Sequence, residues 1–222
     1  MTAEDSTAAD STLPMRLRLV RHGEVAAAHK GTFYGGAEVP LSEHGHAASL
    51  ELAEQLAHGA DAPQIVVSSP LSRARVLAER LAELCAVPLE IDAAFLELDR
   101  GAWTHVSRDE LEQREPGAIA AYLDDPEHGN GPGGERESQL CTRVWAAIDG
   151  LAAAHAGRHV VVVCHGHVIR SIMRRWLGWT PRESVRRFVP YHAVVDAESW
   201  ADGRGRITAS PTLELPDALR DR

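Results

Sequence analysis

The sequence lacks the features of a disulfide-rich, zinc-binding or membrane-spanning protein. Its three cysteines, Cys85, Cys141 and Cys164, lie far apart and form no C-x-x-C pair, so neither a disulfide framework nor a cysteine zinc site is expected. There is no run of about 18 apolar residues, and residues 1–14 are polar and acidic rather than basic and then apolar. We therefore expect a cytoplasmic protein without membrane association, with residues 1–14 as a disordered lead and 216–222 as a tail.

Positive charge is also in deficit. The formal net charge of the 222-residue chain is -9, which argues against nucleic acid or an anionic membrane as a general partner. The 44% hydrophobic and 25% charged fractions are ordinary for a globular protein, and the length suits one sizeable core. No internal repeat is visible. We expect one domain over residues 15–215, and the oligomeric state is left open.

Apolar patterns alternate between short runs and helical spacing along the chain. Short apolar runs predict strands at 16–20, 64–68, 88–92 and 159–164, and the last of these, HVVVVC, is typical of a central strand buried on both faces. Weaker alternation within 193–215 predicts edge strands. Helical spacing predicts four helices with apolar faces at Ala48, Leu52 and Leu56; at Ala74, Leu77, Ala78, Leu81 and Cys85; at Leu140, Val144, Ile148 and Leu151; and at Ile169, Ile172, Met173 and Trp176.

This alternation predicts an α/β fold, a three-layer sandwich with a largely parallel central sheet and helices on both faces. In such sheets ligands bind beyond the carboxyl ends of the strands. Arg21 and His22 follow the first strand, Arg73 follows the second, and His165 follows the strand at 159–164. We therefore expect these four side chains to meet at one edge of the sheet.

Two guanidinium groups and two imidazoles together favour a phosphoryl group as the ligand. Arginine offers forked donors that fit phosphate oxygens, and a neutral histidine nitrogen can attack phosphorus to form a phosphohistidine. Donors held in place then stabilise the charge on the equatorial oxygens. A general acid is also needed for the leaving oxygen. Glu97 lies between apolar neighbours, where burial is expected to raise its pKa enough to carry a proton near neutrality.

Five motifs follow one another in an order typical of a known family. They are LVRHGE (19–24), SSPLSRA (68–74), FLELDRGAW (95–103), PGGE (132–135) and VVCHGHVIR (162–170). Together they resemble the histidine phosphatase superfamily, which has the phosphoglycerate mutase-like fold. The resemblance extends from about residue 17 to residue 173.

The resemblance implies a phosphomonoester hydrolase that acts on a small phosphorylated metabolite without a metal or another cofactor. His22 would be the nucleophile, and Glu97 would protonate the leaving group and then activate water. The phosphoryl oxygens would be held by Arg21, Arg73 and His165. The glycines after the two histidines, Gly23 and Gly166, would belong to the substrate-binding set.

Departures from the family pattern leave the substrate open. Segment 104–134 is interpreted as an insert that shapes the substrate pocket. Arg136 and His105 stand where the family usually has other residues, and they either add basic groups at the pocket rim or are solvated. Glu24 either orients His22 through a hydrogen bond or only begins the next turn.

Several alternatives compete with this interpretation. A cofactor-dependent phosphoglycerate mutase would return the phosphoryl group to its substrate, although residues 97–101, ELDRG, lack the aromatic of the usual mutase E-R-x-Y-G. A non-catalytic protein that binds phosphorylated ligands would keep the arginines but would not need a nucleophile opposed by an acid.

Individual residues also have alternative roles. Arg73 would instead pair with Glu79, and Glu90 or Asp99 would replace Glu97 as the acid. His167 would join His22 and a carboxylate at a metal, although the adjacent arginines would repel the cation.

Overall fold

The computed structural model describes residues 13–58 and 61–210, so the predicted lead and tail lie almost entirely outside the described residues. Six strands form one sheet in the order β3-β2-β4-β1-β5-β6. The strands are β1 (Met15–Arg21), β2 (Ile65–Ser68), β3 (Leu89–Ile91), β4 (His159–Cys164), β5 (Val194–Ser199) and β6 (Gly205–Ala209). The helices are α1 (Glu43–Ala57), α2 (Ser72–Cys85), α3 (Arg108–Arg114), α4 (Ala118–Asp124), α5 (Glu137–Ala154), α6 (Gly166–Leu177) and α7 (Pro181–Val185).

The sheet is largely parallel, as predicted. Strand β4 lies between β2 and β1 and runs parallel to both, and β3 is parallel to β2. Strands β5 and β6 are antiparallel. The prediction of edge strands after residue 193 is wrong for β5, because it pairs with β1 on one side and β6 on the other. Pairing on both edges places β5 inside the sheet, and its side chains are more buried than those of β6.

Strand β4 divides the apolar core into two layers because successive side chains of a strand point to opposite faces. Val160, Val162 and Cys164 pack with α5 and α6 on one face, whereas Val161 and Val163 pack with α1 and α2 on the other. The three-layer sandwich is therefore confirmed. Within the described ranges, no helix is long and apolar enough to cross a membrane.

Helix α1 begins after Ser42, whose Oγ accepts a hydrogen bond from the Gly45 amide at 2.9 Å. Its buried face is rotated from the predicted one and consists of Gly45, Ser49, Ala53 and Leu56. A Cβ at Gly45 would lie 2.1 Å from the carbonyl oxygen of Glu24. The close approach of the helix to the segment after β1 therefore selects small residues, which a search for large apolar side chains misses.

Segment 104–134 folds into helices α3 and α4 and contributes to a third apolar cluster beside the sheet. This cluster consists of Phe33, Trp103, Val106, Leu111, Tyr122 and Val185. Phe33 and Trp103 pack with ring centroids 5.5 Å apart, and Tyr122 meets Trp103 edge-on at 6.2 Å. The cluster fixes this segment next to the carboxyl ends of the strands.

Candidate active site

The register of the parallel strands aligns the ends of β1, β2 and β4 at one edge. Arg21 of β1 stands opposite Cys164 of β4, and the His22 amide donates to the Cys164 carbonyl at 3.0 Å. The amide of Ser69, just after β2, donates to the Val163 carbonyl at 3.0 Å. His22, Ser69 and His165 therefore leave neighbouring strands at the same level.

His22 is 1% exposed and held in one orientation. Its Nδ1 lies 2.7 Å from the Gly23 carbonyl oxygen, which can only accept, so Nδ1 carries the proton and Nε2 keeps its lone pair. Burial lowers the pKa of His22 well below its usual value, and His165, Arg21 and Arg73 lower it further. The imidazole is consequently neutral at neutral pH, the form that a nucleophile requires.

His165 lies beside His22, with ring centroids 5.0 Å apart. Its Nε2 is 2.8 Å from the Ser69 Oγ, and its buried Nδ1 has no hydrogen-bond partner among the described residues. Burial lowers the pKa of His165 well below its usual value, and Arg73 adds to this effect. A neutral ring with an unused Nδ1 next to the nucleophile is suited to contact a bound ligand.

Arg73 is fully buried and has no carboxylate partner within the described ranges. Its Nη1 and Nη2 donate to the carbonyl oxygens of Ala37 at 2.7 Å and Gly35 at 2.6 Å. The alternative pairing of Arg73 with Glu79 is wrong, because Glu79 pairs with Arg75 on the exposed side of α2. Two carbonyls orient the guanidinium but leave its charge uncompensated.

Arg21 is held in a similar way. It donates to the Val189 carbonyl, and its guanidinium stacks on the Tyr191 ring, with Cζ 4.3 Å from the centroid. The buried Nε atoms of Arg21 and Arg73 both lack a hydrogen-bond partner in the described part of the chain. Arg73 is fully buried and Arg21 is half-buried, and neither has a direct counter-ion among the described residues, which favours a doubly charged anion at this site.

Glu97 is 8% exposed, whereas the competing acids Asp99 and Glu90 are exposed. Its Oε1 accepts from the amides of Leu98 at 3.0 Å and His167 at 3.2 Å. Burial acts to raise the pKa of Glu97, but the contact with His167, the nearby His165 and the Leu98 amide outweigh it and hold the pKa well below its usual value. The expectation that burial raises the pKa of this carboxyl enough to carry a proton near neutrality is therefore wrong.

His167 does not turn toward His22. Its Nε2 lies 2.9 Å from the Arg100 Nη2, which can only donate, and 3.0 Å from the Tyr122 hydroxyl. Nδ1 therefore carries the proton and lies 3.4 Å from the Glu97 carboxylate. Burial, followed by Arg170, lowers the pKa of His167 to about 3. Across residues 13–58 and 61–210, no group of three or more His, Cys, Asp or Glu side chains is arranged to hold a metal ion.

The two glycines lie in different surroundings. A Cβ at Gly23 would lie 2.6 Å from the Gly45 carbonyl oxygen and 2.6 Å from the Ser49 Oγ, so packing against α1 explains this glycine without a ligand. A Cβ at Gly166 would lie 3.7 Å from the Arg21 Cζ and 3.8 Å from Glu97 Oε2. Gly166 therefore borders the space that Arg21 and Glu97 share.

The three residues left open by sequence lie outside this space. The Glu24 carboxylate accepts from the Ser42 hydroxyl at 2.8 Å and pairs with Lys30 at 2.6 Å, so it stabilises the start of α1 rather than His22. Arg136 is exposed before α5, and His105 is exposed in a turn with a φ of +67°. Both side chains are solvated.

Several residues that surround the site at His22 were not predicted from the sequence. The hydroxyls of Tyr34 and Tyr191 lie 3.3 Å apart, and the Tyr191 ring is 5.7 Å from that of His22. Tyr191 belongs to no motif, and Tyr34 lies in the glycine-bearing loop FYGG (33–36), outside the five ordered motifs. Arg100 and Arg170 do lie within motifs, three residues after Glu97 and three residues after His167. Their positions in the motifs could have indicated that they lie near the site.

Comparison with known proteins identifies the family. The chain is 35% identical to the metal-independent phosphoserine phosphatase of Arabidopsis thaliana over 71% of its own length and 66% of that protein, just under two thirds. It is 28% identical to a Salmonella paratyphi C protein named "Probable phosphoglycerate mutase GpmB", over 76% of this chain and 79% of that protein.

A solved structure has the same fold. The structure of a mycobacterial glucosyl-3-phosphoglycerate phosphatase superposes with a TM-score of 0.78 at 23% identity, covering 88% of this chain and 98% of that one. The family model described as "Histidine phosphatase superfamily (branch 1)" matches residues 17–210. The chain therefore belongs to the histidine phosphatase superfamily.

Proposed function

We propose that this protein hydrolyses phosphomonoesters of small metabolites through a phosphohistidine formed at His22. The observation that carries the proposal is the state of His22, a buried neutral imidazole with its Nε2 lone pair unprotonated, next to Arg21 and Arg73, neither of which forms an ion pair with a carboxylate among the described residues. A site that only bound phosphate would gain more from a charged histidine. The neutral ring instead supports nucleophilic attack.

In the first step, His22 Nε2 attacks phosphorus and the ester oxygen leaves. Arg21, Arg73 and His165 hold the equatorial oxygens, whose charge is the main quantity to be stabilised in phosphoryl transfer. Arg73 keeps its position because two backbone carbonyls fix its guanidinium. The site is thus organised before the substrate arrives.

Glu97 moves the proton in both steps. Its lowered pKa favours the carboxylate form, but a phosphate monoester has a second pKa of about 6 and brings both a proton and negative charge close to the carboxylate. That charge raises the pKa of Glu97, so the proton reaches the leaving oxygen through this residue. The carboxylate left behind then takes a proton from the water that attacks the phosphohistidine.

Hydrolysis of p-nitrophenyl phosphate by the purified protein, with EDTA present, tests the proposal. We expect turnover in EDTA, a phosphorylated protein that is labile to acid, and complete loss of both in His22→Ala. His46→Ala, which removes an exposed histidine of α1, is the control and should keep full activity. Activity lost to EDTA and restored by a divalent metal would refute the phosphohistidine mechanism.

A phosphoglycerate mutase is the second candidate, since one relative carries that name. Conversion of 3-phosphoglycerate to 2-phosphoglycerate in an assay coupled to enolase tests it directly. We expect release of inorganic phosphate and no coupled signal.

We also propose a cytoplasmic location. The cysteines Cys85, Cys141 and Cys164 are free, which supports this location, and cell fractionation would test it.

A further inference from the structure

A second cationic space lies beyond Glu97. It is a cavity of about 180 Å³ lined by Arg21, Glu97, His167 and the rings of Phe33 and Phe188, among others. Three further arginines line it as well, namely Arg100, Arg108 and Arg170. Four guanidinium groups therefore face one carboxylate in a space that continues from the phosphate position.

The three distal arginines form no direct ion pair in the described part of the chain, although Glu97 and the buried Glu137 act on Arg170 from a distance and Glu137 also acts on Arg100. In the described part of the chain, no carboxylate lies within 4.0 Å of a nitrogen of Arg100, Arg108 or Arg170. By contrast, most arginines elsewhere are paired, such as Arg114 with Glu110 at 3.0 Å and Arg175 with Asp149 at 2.8 Å. The chain carries nine more negative than positive charges, so the missing partners at this cavity are not due to a shortage of carboxylates.

Neutral groups fix Arg100 and Arg170 in place. Arg100 is 6% exposed, donates to the Asn130 Oδ1 at 3.2 Å and to His167, and stacks on the Tyr122 ring at 4.7 Å. Arg170 donates to the carbonyl oxygens of Val185 and Arg187 at 3.2 and 3.0 Å, and its buried Nε has no partner among the described residues. Burying guanidinium charge without a counter-ion is unfavourable, so an anionic ligand would relieve that cost.

The cavity on the other side of Glu97 has the opposite character. It is lined by Asp99 and Glu135 together with Glu97, and its one arginine, Arg143, is paired with Glu135 at 2.6 Å. A negatively charged leaving group would be repelled there and attracted by the distal arginines. The charge distribution around Glu97 therefore orients a negatively charged leaving group toward the distal arginines.

We propose that the leaving group of the substrate carries a second anionic group, a carboxylate or a phosphate, which binds Arg100, Arg108 and Arg170. This rests on the proposed function, because the phosphoryl group must occupy the site at His22. Arg108 sits on the Phe33 ring at 5.2 Å at the exposed end of the cavity, where its side chain is free to turn onto the anion. Arg100 and Arg170 are already fixed.

Matched substrate pairs test the proposal through the ratio of their kcat/KM values. O-phosphoserine against O-phosphoethanolamine, and 3-phosphoglycerate against glycerol 3-phosphate, each differ in one carboxylate. Propane-1,3-diol bisphosphate against 3-hydroxypropyl phosphate differs in a second phosphate. We expect at least one kind of pair to favour the second anion by about 10- to 100-fold, as for a charged hydrogen bond, and the preferred kind identifies the anion.

Substitutions locate the effect. Arg108→Gln and Arg100→Gln should each reduce the preferred ratio by about tenfold, and Arg100→Lys should restore part of it. Arg114→Gln, on the same helix as Arg108 but outside the cavity, is the matched control and should leave the ratio unchanged. Should Arg100→Gln fail to fold, Arg108→Gln and Arg100→Lys decide the question.

The outcomes separate the two proposals. Absence of any phosphohydrolase activity would overturn the proposed function. Hydrolysis of p-nitrophenyl phosphate with all three ratios within twofold of one, or ratios that the arginine substitutions do not change, would overturn the second-anion proposal alone.

Discussion

Replacing Glu97 with glutamine separates the two halves of the proposed reaction. Glutamine has the same shape, and its carbonyl oxygen can still accept from the Leu98 amide at 3.0 Å and the His167 amide at 3.2 Å. The new amide nitrogen would face the protonated His167 Nδ1, which lies 3.4 Å from Glu97 Oε2, so the fold should survive at a cost of about 1–3 kcal/mol in the free energy of unfolding. What is lost is the group that accepts and returns the proton.

The expected magnitude depends on the leaving group. A positioned general acid or base contributes roughly 10²- to 10⁴-fold to a rate. Nitrophenolate leaves without a proton, so phosphorylation of His22 by p-nitrophenyl phosphate should remain fast. Attack of water on the phosphohistidine still needs a base, and that step should slow by the full factor. The substitution also removes the one carboxylate facing four arginines, so KM should fall.

Stopped-flow absorbance measures both steps. Glu97→Gln should release one nitrophenolate per site in a burst and then continue at a rate lower by roughly 10²- to 10⁴-fold. With propyl phosphate, whose leaving group needs a proton, rapid quenching followed by an assay of the released propanol should show no burst. Glu90→Gln, an exposed carboxylate on β3, is the control and should resemble the unmodified protein. A steady-state rate on propyl phosphate within threefold of the unmodified protein would show that Glu97 moves no proton.

Three further predictions concern protonation and packing. The lowered pKa of His22 should keep its ring neutral as the pH falls through 6.5, and a titration midpoint near 6.5 in 1H–15N NMR, assigned with His22→Asn, would contradict this. A histidine whose folded pKa is lowered binds its proton more readily in the unfolded chain, so stability is lost as pH falls below 6.5. For His167, with a pKa of about 3, the loss at pH 5 is about 2 kcal/mol in the free energy of unfolding, and His22 and His165 act in the same direction. Urea unfolding at pH 7.5 and 5.0 measures it, and equal values would refute the assignment of neutral buried histidines. Gly45→Ala should destabilise the protein by about 1–3 kcal/mol, because its Cβ would lie 2.1 Å from the Glu24 carbonyl oxygen. The control Ala47→Gly, on the exposed side of α1, should cost about 1 kcal/mol at most. Equal melting temperatures for Gly45→Ala and the unmodified protein would show that the segment at Glu24 moves to accommodate the Cβ.

Most of the fold followed from local patterns. The run HVVVVC predicted β4 with its observed bounds, and the apolar spacing of α2 matched its buried face. The exceptions have a common cause. The buried face of α1 consists of small residues because the helix packs closely against the segment after β1. Strand β5 lies inside the sheet because it pairs with both β1 and β6. Neither contact partner is close in sequence.

The residues expected at the sheet edge do lie together in the structure, whereas their protonation was not predictable. Ligands bind beyond the carboxyl ends of the strands in a parallel sheet, so residues that follow several such strands are expected to meet there. The state of Glu97 depends instead on His165, His167 and the Leu98 amide, which outweigh its burial. A sequence shows that a carboxyl has apolar neighbours, but it does not show which donors will face it.

Sequence alone determined the family, the layered fold and the set of Arg, His and Glu residues proposed for phosphoryl chemistry, because local patterns and ordered motifs encode them. Only the tertiary structure decided the tautomer of His22, the ionisation of Glu97 and the cavity of unpaired arginines. Those properties depend on distances between side chains and carbonyls from separate loops. Charge and hydrogen bonding act through space, so their outcome appears only when the chain is folded.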